Sequence, residues 1–295
     1  MGEPMDGKVV LLTGGTSGIG REAALALAER GASVAVVGRD RERGREVASE
    51  IDARNADGFA EFYNANLASQ RAIRRLTDEF RARHERLDAL VNNAGTFRAE
   101  REESPEKIEA TLAINHLAPV LLTHRLADLL VESAPARVVT VSSGLHEKGE
   151  IRFGDLLGER EYDPWDAYNQ SKLANVLFAR ELAERFPDGV SSNALNPGFV
   201  PATALDRQGS LRGRAVLAAL SRLPLPSART VEEGAKSIVR AVADPDLEEV
   251  TGAYLHDGKP VAPSDDAQNE RARKRLWDVS SGLAGVSPDA PPLQP

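Results

Sequence analysis

Short apolar runs alternate with longer stretches of helical periodicity along most of this sequence, and that rhythm constrains the fold more than any other feature. The apolar runs fall at 8–13 (KVVLLT), 33–37, 59–64, 87–92, 137–142 and 190–195. Helical patterns lie between them at 19–30, 40–54, 70–84, 105–130 and 165–186. Gly31 supplies a stop for the first of these, and Ser104 with Pro105 reads as the cap and first turn of the fourth. Strands separated by helices pair in parallel through right-handed crossovers. Strands that are almost wholly apolar belong to a sheet covered on both faces. The expectation is an α/β chain with a doubly wound parallel sheet and helices on both faces.

No internal repeat or linker interrupts residues 7–260, so 1–295 reads as one domain. Two segments break the rhythm. Residues 201–230 carry Leu205, Leu211, Val216, Leu217, Leu220 and Leu223 and suggest an apolar lid over a lipophilic substrate. Residues 286–295 are Pro-rich and are expected to fray. Hydrophobic residues make up 41%, enough for a core, and the net charge is −8. An acidic chain without a basic stripe is a poor nucleic-acid binder. No apolar run reaches the roughly twenty residues of a membrane span. The start, MGEPMDGKVVLL, has acids where a secretion signal has bases. These features point to a cytoplasmic protein. The sequence has no cysteine, which excludes disulfides and thiolate chemistry. Five scattered histidines form no metal-ligand pattern, and no metal is expected.

The run Thr13-Gly14-Gly15-Thr16-Ser17-Gly18-Ile19-Gly20 joins the first strand to the first helix. Gly14 permits a tight turn, Gly18 lets backbone approach a pyrophosphate, and Gly20 lets helix and strand pack closely. The helix N-terminus offers free N–H groups to an anion. Alone, such a run could be an ordinary turn. After the first strand of a βαβ unit it points to a dinucleotide and a Rossmann fold. An NAD site places an acid at the end of the second strand. Here Gly38 stands there and Arg39 follows. An arginine can pair with a 2′-phosphate, so NADP(H) is the expected cofactor. The alternative is a solvated Arg39 paired with Asp40.

Tyr168 and Lys172 stand at i and i+4 on one helix. They could be a surface pair. At the carboxyl end of the fifth strand, however, they occupy the side where such sheets bind ligands. An ammonium beside the phenol would lower its pKa from about 10 toward the working pH. The phenol could then exchange a proton with an oxygen as hydride reaches or leaves its carbon.

In order along the chain stand TGGTSGIG (13–20), NNAG (92–95), Asn115, Ser142-Ser143, Tyr168/Lys172 and Pro197-Gly198. With these motifs the chain resembles the short-chain dehydrogenase/reductase family. It is similar in particular to the retinol dehydrogenase-like and protochlorophyllide reductase-like branch. That finer resemblance rests on INHLAPVLLTHRL (114–126), VSSGLHEKGEIRFGDL (141–156), AYNQSKLANVLFARELAERF (167–186) and the tail 252–283. Unlike in many retinol enzymes, no membrane anchor is expected here; the sequence also has no cysteine, and Ala202 stands where a hydroxyl is usual, with Thr203 next.

The resemblance implies roles. Tyr168 is the acid/base. Lys172 lowers its pKa and binds the nicotinamide ribose. Ser143, the second of its pair, polarises the substrate oxygen, while Ser142 is structural, because only one of two successive strand residues faces the site. Asn115 kinks its long helix and holds a water leading to Lys172. Cofactor contacts fall to Gly14, Thr16, Ser17, Gly18, Ile19, Gly20, Arg39, Asn66, Leu67, Asn93, Ala94, Gly95, Pro197, Gly198 and Val200, besides Tyr168 and Lys172. His116 and His146 are expected to be structural. The expected partner is a small carbonyl or alcohol substrate. The resemblance also implies a homodimer through the helices 105–130 and 165–186, with a monomer whose C-terminal tail caps those faces as the alternative. The competing class is an NADP(H)-binding redox sensor or scaffold without turnover.

Overall fold

The computed structural model describes residues 5–55, 57–201, 228–290 and 293. Eight strands form one sheet in the order β3-β2-β1-β4-β5-β6-β7-β8. They are β1 (Val9–Thr13), β2 (Ser33–Gly38), β3 (Ala60–Asn64), β4 (Ala89–Asn92), β5 (Ala136–Val141), β6 (Val190–Asn196), β7 (Tyr254–His256) and β8 (Lys259–Val261). The first seven pair in parallel, and β8 returns antiparallel on β7 as an edge. The wholly parallel sheet expected from the sequence therefore gains an antiparallel edge strand. Strand order reverses between β1 and β4, which opens a crevice at their carboxyl ends.

The helices are α1 (Gly18–Ala28), α2 (Arg41–Asp52), α3 (Gln70–Arg81), α4 (Ala110–Leu112), α5 (Ala118–Glu132), α6 (Pro164–Arg185), α7 (Val231–Ala243), α8 (Asp265–Gln268) and α9 (Glu270–Ala284). Alternation along the strands builds two cores. Leu11 joins Ile73 of α3, Leu121 of α5 and Phe178 of α6 on one face. Val10 and Leu12 join Ala23 of α1, Val47 of α2 and Ile238 of α7 on the other.

The helix expected from Pro105 begins five residues later. Ser104 instead closes a turn: its hydroxyl accepts from Glu106 N and Ile108 N, and its carbonyl accepts from Lys107 N, which has φ of 64°. Ser-Pro here marks a turn rather than a helix start. Glu109 is the cap, accepting from Thr111 N and Leu112 N. A π-turn over Ala113–Leu117 then links α4 to α5.

α9 covers both long helices. Trp277 stacks 4.9 Å from His124 of α5 and 6.0 Å from Phe178 of α6, with the Arg185 guanidinium 4.6 Å from its ring. Ser280 bonds His116 Nε2 at 2.7 Å, and Gln70 and Arg74 of α3 donate to the carbonyls of Leu283 and Ala284. The segment 286–295, expected to fray, is described only at 286–290 and 293, and some of those residues make contacts. Val286 packs on the core, Pro288 O accepts from Trp277 Nε1, and Leu293 is only 2% exposed. The expected lid, 201–230, lies almost wholly outside the described residues, as do Ala202 and Thr203. No helix among the described residues is long and apolar enough to cross a membrane.

Candidate active site

The loops that leave β1, β2, β4, β5 and β6 at their carboxyl ends converge on one crevice. Thr13, the last residue of β1, latches two of them. Its hydroxyl donates to Val91 O at 3.2 Å and accepts from the backbone N–H groups of Asn93 and Ala94 at 3.0 Å each. Asn93 Nδ2 returns the contact to Thr13 O at 2.9 Å. The glycine loop and the segment Asn93–Gly95 are thus one hydrogen-bonded unit. Gly20 is needed for that approach, because a Cβ there would collide with Asn93 Nδ2 and Gly14 O.

This crevice fits a dinucleotide. α1 begins at Gly18 with no side-chain cap from Ser17, so its first N–H groups are left to an anion. Thr16, Ser17 and Ile19 lie on the same turn, and Ile19 and Val200 both pack beside Gly234 of α7. Gly38 tells against an acid at the end of β2. A Cβ there would stand 2.5 Å from Thr16 Cγ2 and 2.8 Å from its Oγ1. Asp40 is occupied elsewhere: its carboxylate caps α2 by accepting from Arg43 N, and it pairs with the Arg43 side chain. Arg39 is exposed at the crevice edge, and burial of part of its side chain with the nearby charge of Arg98 lowers its pKa. Asn64, not anticipated from the sequence, holds this turn by donating to Gly38 O and Arg39 O at 3.2 and 2.9 Å. Asn66 is exposed, and its Oδ1 accepts from Ala68 N, while Leu67 is buried in the core. Past β6, Gly198 N donates to Asn196 Oδ1 after Pro197.

The chemical residues meet where β5 ends and α6 begins. Ser142 donates to Lys172 O at 2.7 Å and so pins strand to helix. Ser143 faces the Tyr168 phenol and caps the 3₁₀ turn Gly144–Lys148. Lys172 Nζ donates to Val141 O at 3.2 Å and stands 5.5 Å from the centre of the Tyr168 ring. Asn115 sits at the centre of the π-turn, a recurrent device at functional helix bends. Its amide is committed to Thr96, accepting from Thr96 N at 2.7 Å and donating to Thr96 O at 2.9 Å, and to Ser171 Oγ. What it holds directly is the loop after Gly95.

The electrostatics differ from expectation. Burial pushes the Tyr168 phenol up to about 12, with the Ser143 hydrogen bond working in the opposite direction. Burial also pushes Lys172 down to about 8. Desolvation, which disfavours the charged form of both groups, outweighs the attraction of ammonium for phenolate that the i, i+4 spacing promised. Both shifts favour the neutral form of each group.

His116 and His146 are built into the frame. Burial pushes His116 down to about 4, and its ring bonds Ser280 and Asn175. His146 Nε2 accepts from Ser264 N, and its Nδ1 lies 2.9 Å from Ser143 O.

The sequence matches the short chain dehydrogenase family over residues 8–211. It is 41% identical to retinol dehydrogenase 12 of Bos taurus over 281 residues, 95% of this chain and 87% of that protein. It is 39% identical to polyprenol dehydrogenase of Mus musculus over 290 residues, 96% of this chain and 85% of the relative. Among solved structures, an uncharacterized protein from Mycobacterium paratuberculosis superposes with a TM-score of 0.77 at 27% identity, covering 98% of this chain and 97% of that one. A short chain dehydrogenase from Burkholderia cenocepacia, in complex with NADP, superposes with a TM-score of 0.67 at 27% identity over 85% of this chain and 96% of its own. The single α/β domain agrees with these matches, and the chain belongs to the short-chain dehydrogenase/reductase family and is retinol dehydrogenase-like.

Proposed function

We propose that the protein is an NADP(H)-dependent oxidoreductase that interconverts a carbonyl and an alcohol on a lipophilic substrate, with Tyr168 as general acid and base. The observation that carries this reading is the placement of the Tyr168 phenol against the Ser143 hydroxyl, with Lys172 Nζ 5.5 Å from the centre of its ring. When bound, the nicotinamide would supply or accept the hydride. Ser143 orients the substrate oxygen, and Tyr168 delivers a proton to that oxygen in reduction or removes it in oxidation. Lys172 holds positive charge beside the phenol and binds the ribose. Asn115 keeps the loop at Thr96 in place, and a water between it and Lys172 completes the proton path. Gly14–Gly20, Asn93–Gly95 and Pro197–Val200 would hold the dinucleotide, with Asn66 and Leu67 as the residues that would meet its adenine. Preference for NADP(H) is supported by Arg39, by the collision an acid at position 38 would meet, and by the NADP complex of the Burkholderia relative. Alcohol chemistry on apolar chains is supported by the names of the retinol and polyprenol relatives.

A panel of aldehydes, ketones and alcohols, followed by NADPH and NADH absorbance, tests the reading. Turnover of apolar carbonyls with NADPH, at least about tenfold above NADH on charge-assisted hydrogen-bond magnitudes, is the expected result. Tight NADPH binding with no turnover of any member would replace it with a redox sensor.

A further inference from the structure

Three aromatic rings run together at the mouth of this site. Phe97 lies 4.8 Å from Trp165 with the rings tilted by 55°, and 5.9 Å from Tyr168 in an edge contact. Trp165 precedes Tyr168 by three residues on α6, so both point to one side of the helix. The rings are held rather than merely near. On one side of Phe97, the Thr96 backbone is fixed by both ends of the Asn115 amide. On the other side, the Tyr162 hydroxyl donates to Arg98 O at 2.7 Å. Trp165 itself sits in a turn fixed by Asp163, which accepts from Trp165 N and Asp166 N.

This fixed wall is left open. Trp165 is 49% exposed. Only three large hydrophobic side chains among the described residues are counted as exposed, and two of them, Trp165 and Phe199, stand at the carboxyl edge of the sheet, Phe199 just past Pro197-Gly198. Single exposed hydrophobics need no explanation, but an aromatic group that begins at the candidate proton donor and ends in solvent is a surface for a ligand.

We propose that Phe97 and Trp165 are specificity-determining residues of this site, forming an aromatic wall continuous with Tyr168 that takes a flat, unsaturated group attached directly to the reacting carbonyl. The inference rests on Tyr168 being the proton donor, since its oxygen then fixes where the carbonyl sits. The Phe97 ring centre lies 5.9 Å from that of Tyr168, so the wall stands beside the proton donor and would meet the group nearest the carbonyl rather than a distant tail. Ring faces and edges reward a planar π-system in offset or edge-on contact and give a puckered saturated ring only ordinary burial. The selection is therefore for flatness next to the carbonyl, beyond apolarity in general.

The test compares benzaldehyde with cyclohexanecarbaldehyde, which have the same carbon count but differ in planarity. Trp165→Ala should raise KM for both aldehydes, but by up to about tenfold more for benzaldehyde than for cyclohexanecarbaldehyde on aromatic-pair magnitudes, with kcat for each within about twofold. Trp165→Phe should restore most of the loss, and Phe97→Leu should repeat it. Quenching of Trp165 fluorescence by benzaldehyde with NADP⁺ bound, where no reduction occurs, reads the same contact without chemistry, since Trp277 is 2% exposed and shielded. Equal KM changes for both aldehydes, or a fall in kcat alone, would overturn the wall while leaving the oxidoreductase reading intact. Aryl-selective quenching without turnover of either aldehyde would keep the wall and overturn that reading. No selective quenching and no selective KM change would sink the inference outright.

Discussion

Two helices begin at the carboxyl edge of the sheet, and their N-termini are built in opposite ways. α1 follows the glycine loop and has no side-chain cap, so its backbone N–H groups remain available. α6 is capped by Asp163, which takes the N–H groups of Trp165 and Asp166. One helix presents backbone to a ligand, and the other consumes its backbone internally and presents side chains. The difference matches the tasks assigned to them. A pyrophosphate is met by unsatisfied N–H groups and a partial positive charge, whereas a carbonyl needs a phenol and an ammonium at defined positions, which requires a helix that does not fray.

The largest effect expected from this division is at Tyr168. Tyr168→Phe keeps the ring and its contact with Phe97 but removes the proton donor. Carbonyl reduction should fall by about 10²–10⁴-fold with NADPH affinity unchanged, as read by turnover and by a fluorescence titration of cofactor. Retention of more than about a tenth of the activity would remove Tyr168 from the chemistry. Gly20→Ala attacks the other helix. Its Cβ would collide with Asn93 Nδ2 and Gly14 O, so cofactor binding should weaken by about 10–100-fold, the cost of 1–3 kcal/mol of overpacking. Unchanged affinity would show that the phosphate does not use this end of α1.

Arg39→Ala should weaken NADPH by about tenfold or more and leave NADH little altered, since only the 2′-phosphate loses a charged hydrogen bond. Equal losses would break the assignment. The pH profile separates the two helices further. With Lys172 near 8 and its ammonium required beside the phenol, the reduction rate should hold below pH 8 and fall as pH rises through it. A flat profile to pH 10 would show that the lysine charge is not needed. The smallest effect is expected at the capped helix. Asp163→Ala should cost about 1 kcal/mol of stability in a denaturant melt, the usual worth of an N-cap. NADPH affinity should not change, because that helix end holds no phosphate.

Much of this site is legible in the sequence because its signals are local. The glycine loop, the NNAG segment and the Tyr168/Lys172 spacing each lie within eight residues, on elements whose periodicity is strong. What is not legible is how loops from different strands are fastened. Thr13 reads as the end of a strand, and Asn64 as another. Their roles appear only when β1 meets β4 and when β3 meets β2. Phe97 and Trp165 are 68 residues apart and look unrelated until α6 is laid beside the loop after β4. Tyr168 shows a different limit. Spacing brings a lysine to it but says nothing of how deeply both are buried, and burial decides the direction of the shift. The strands β7 and β8, with three residues each, are too short to produce a pattern. α7 carries a readable start, the capping box from Thr230 to Glu233.

The clasp of α9 over α5 and α6 has a consequence for assembly. Those two helices offer the broad apolar face through which a second copy was expected to pair. Here the face is filled by a segment of the same chain, tied as far back as Gln70 and Arg74. A tethered segment meets its groove at an effective concentration on the order of millimolar. A free second copy at micromolar concentration competes at a disadvantage of about a thousandfold before any difference in contact is counted. A second copy that paired through the surface now covered by α9 would first have to unseat it.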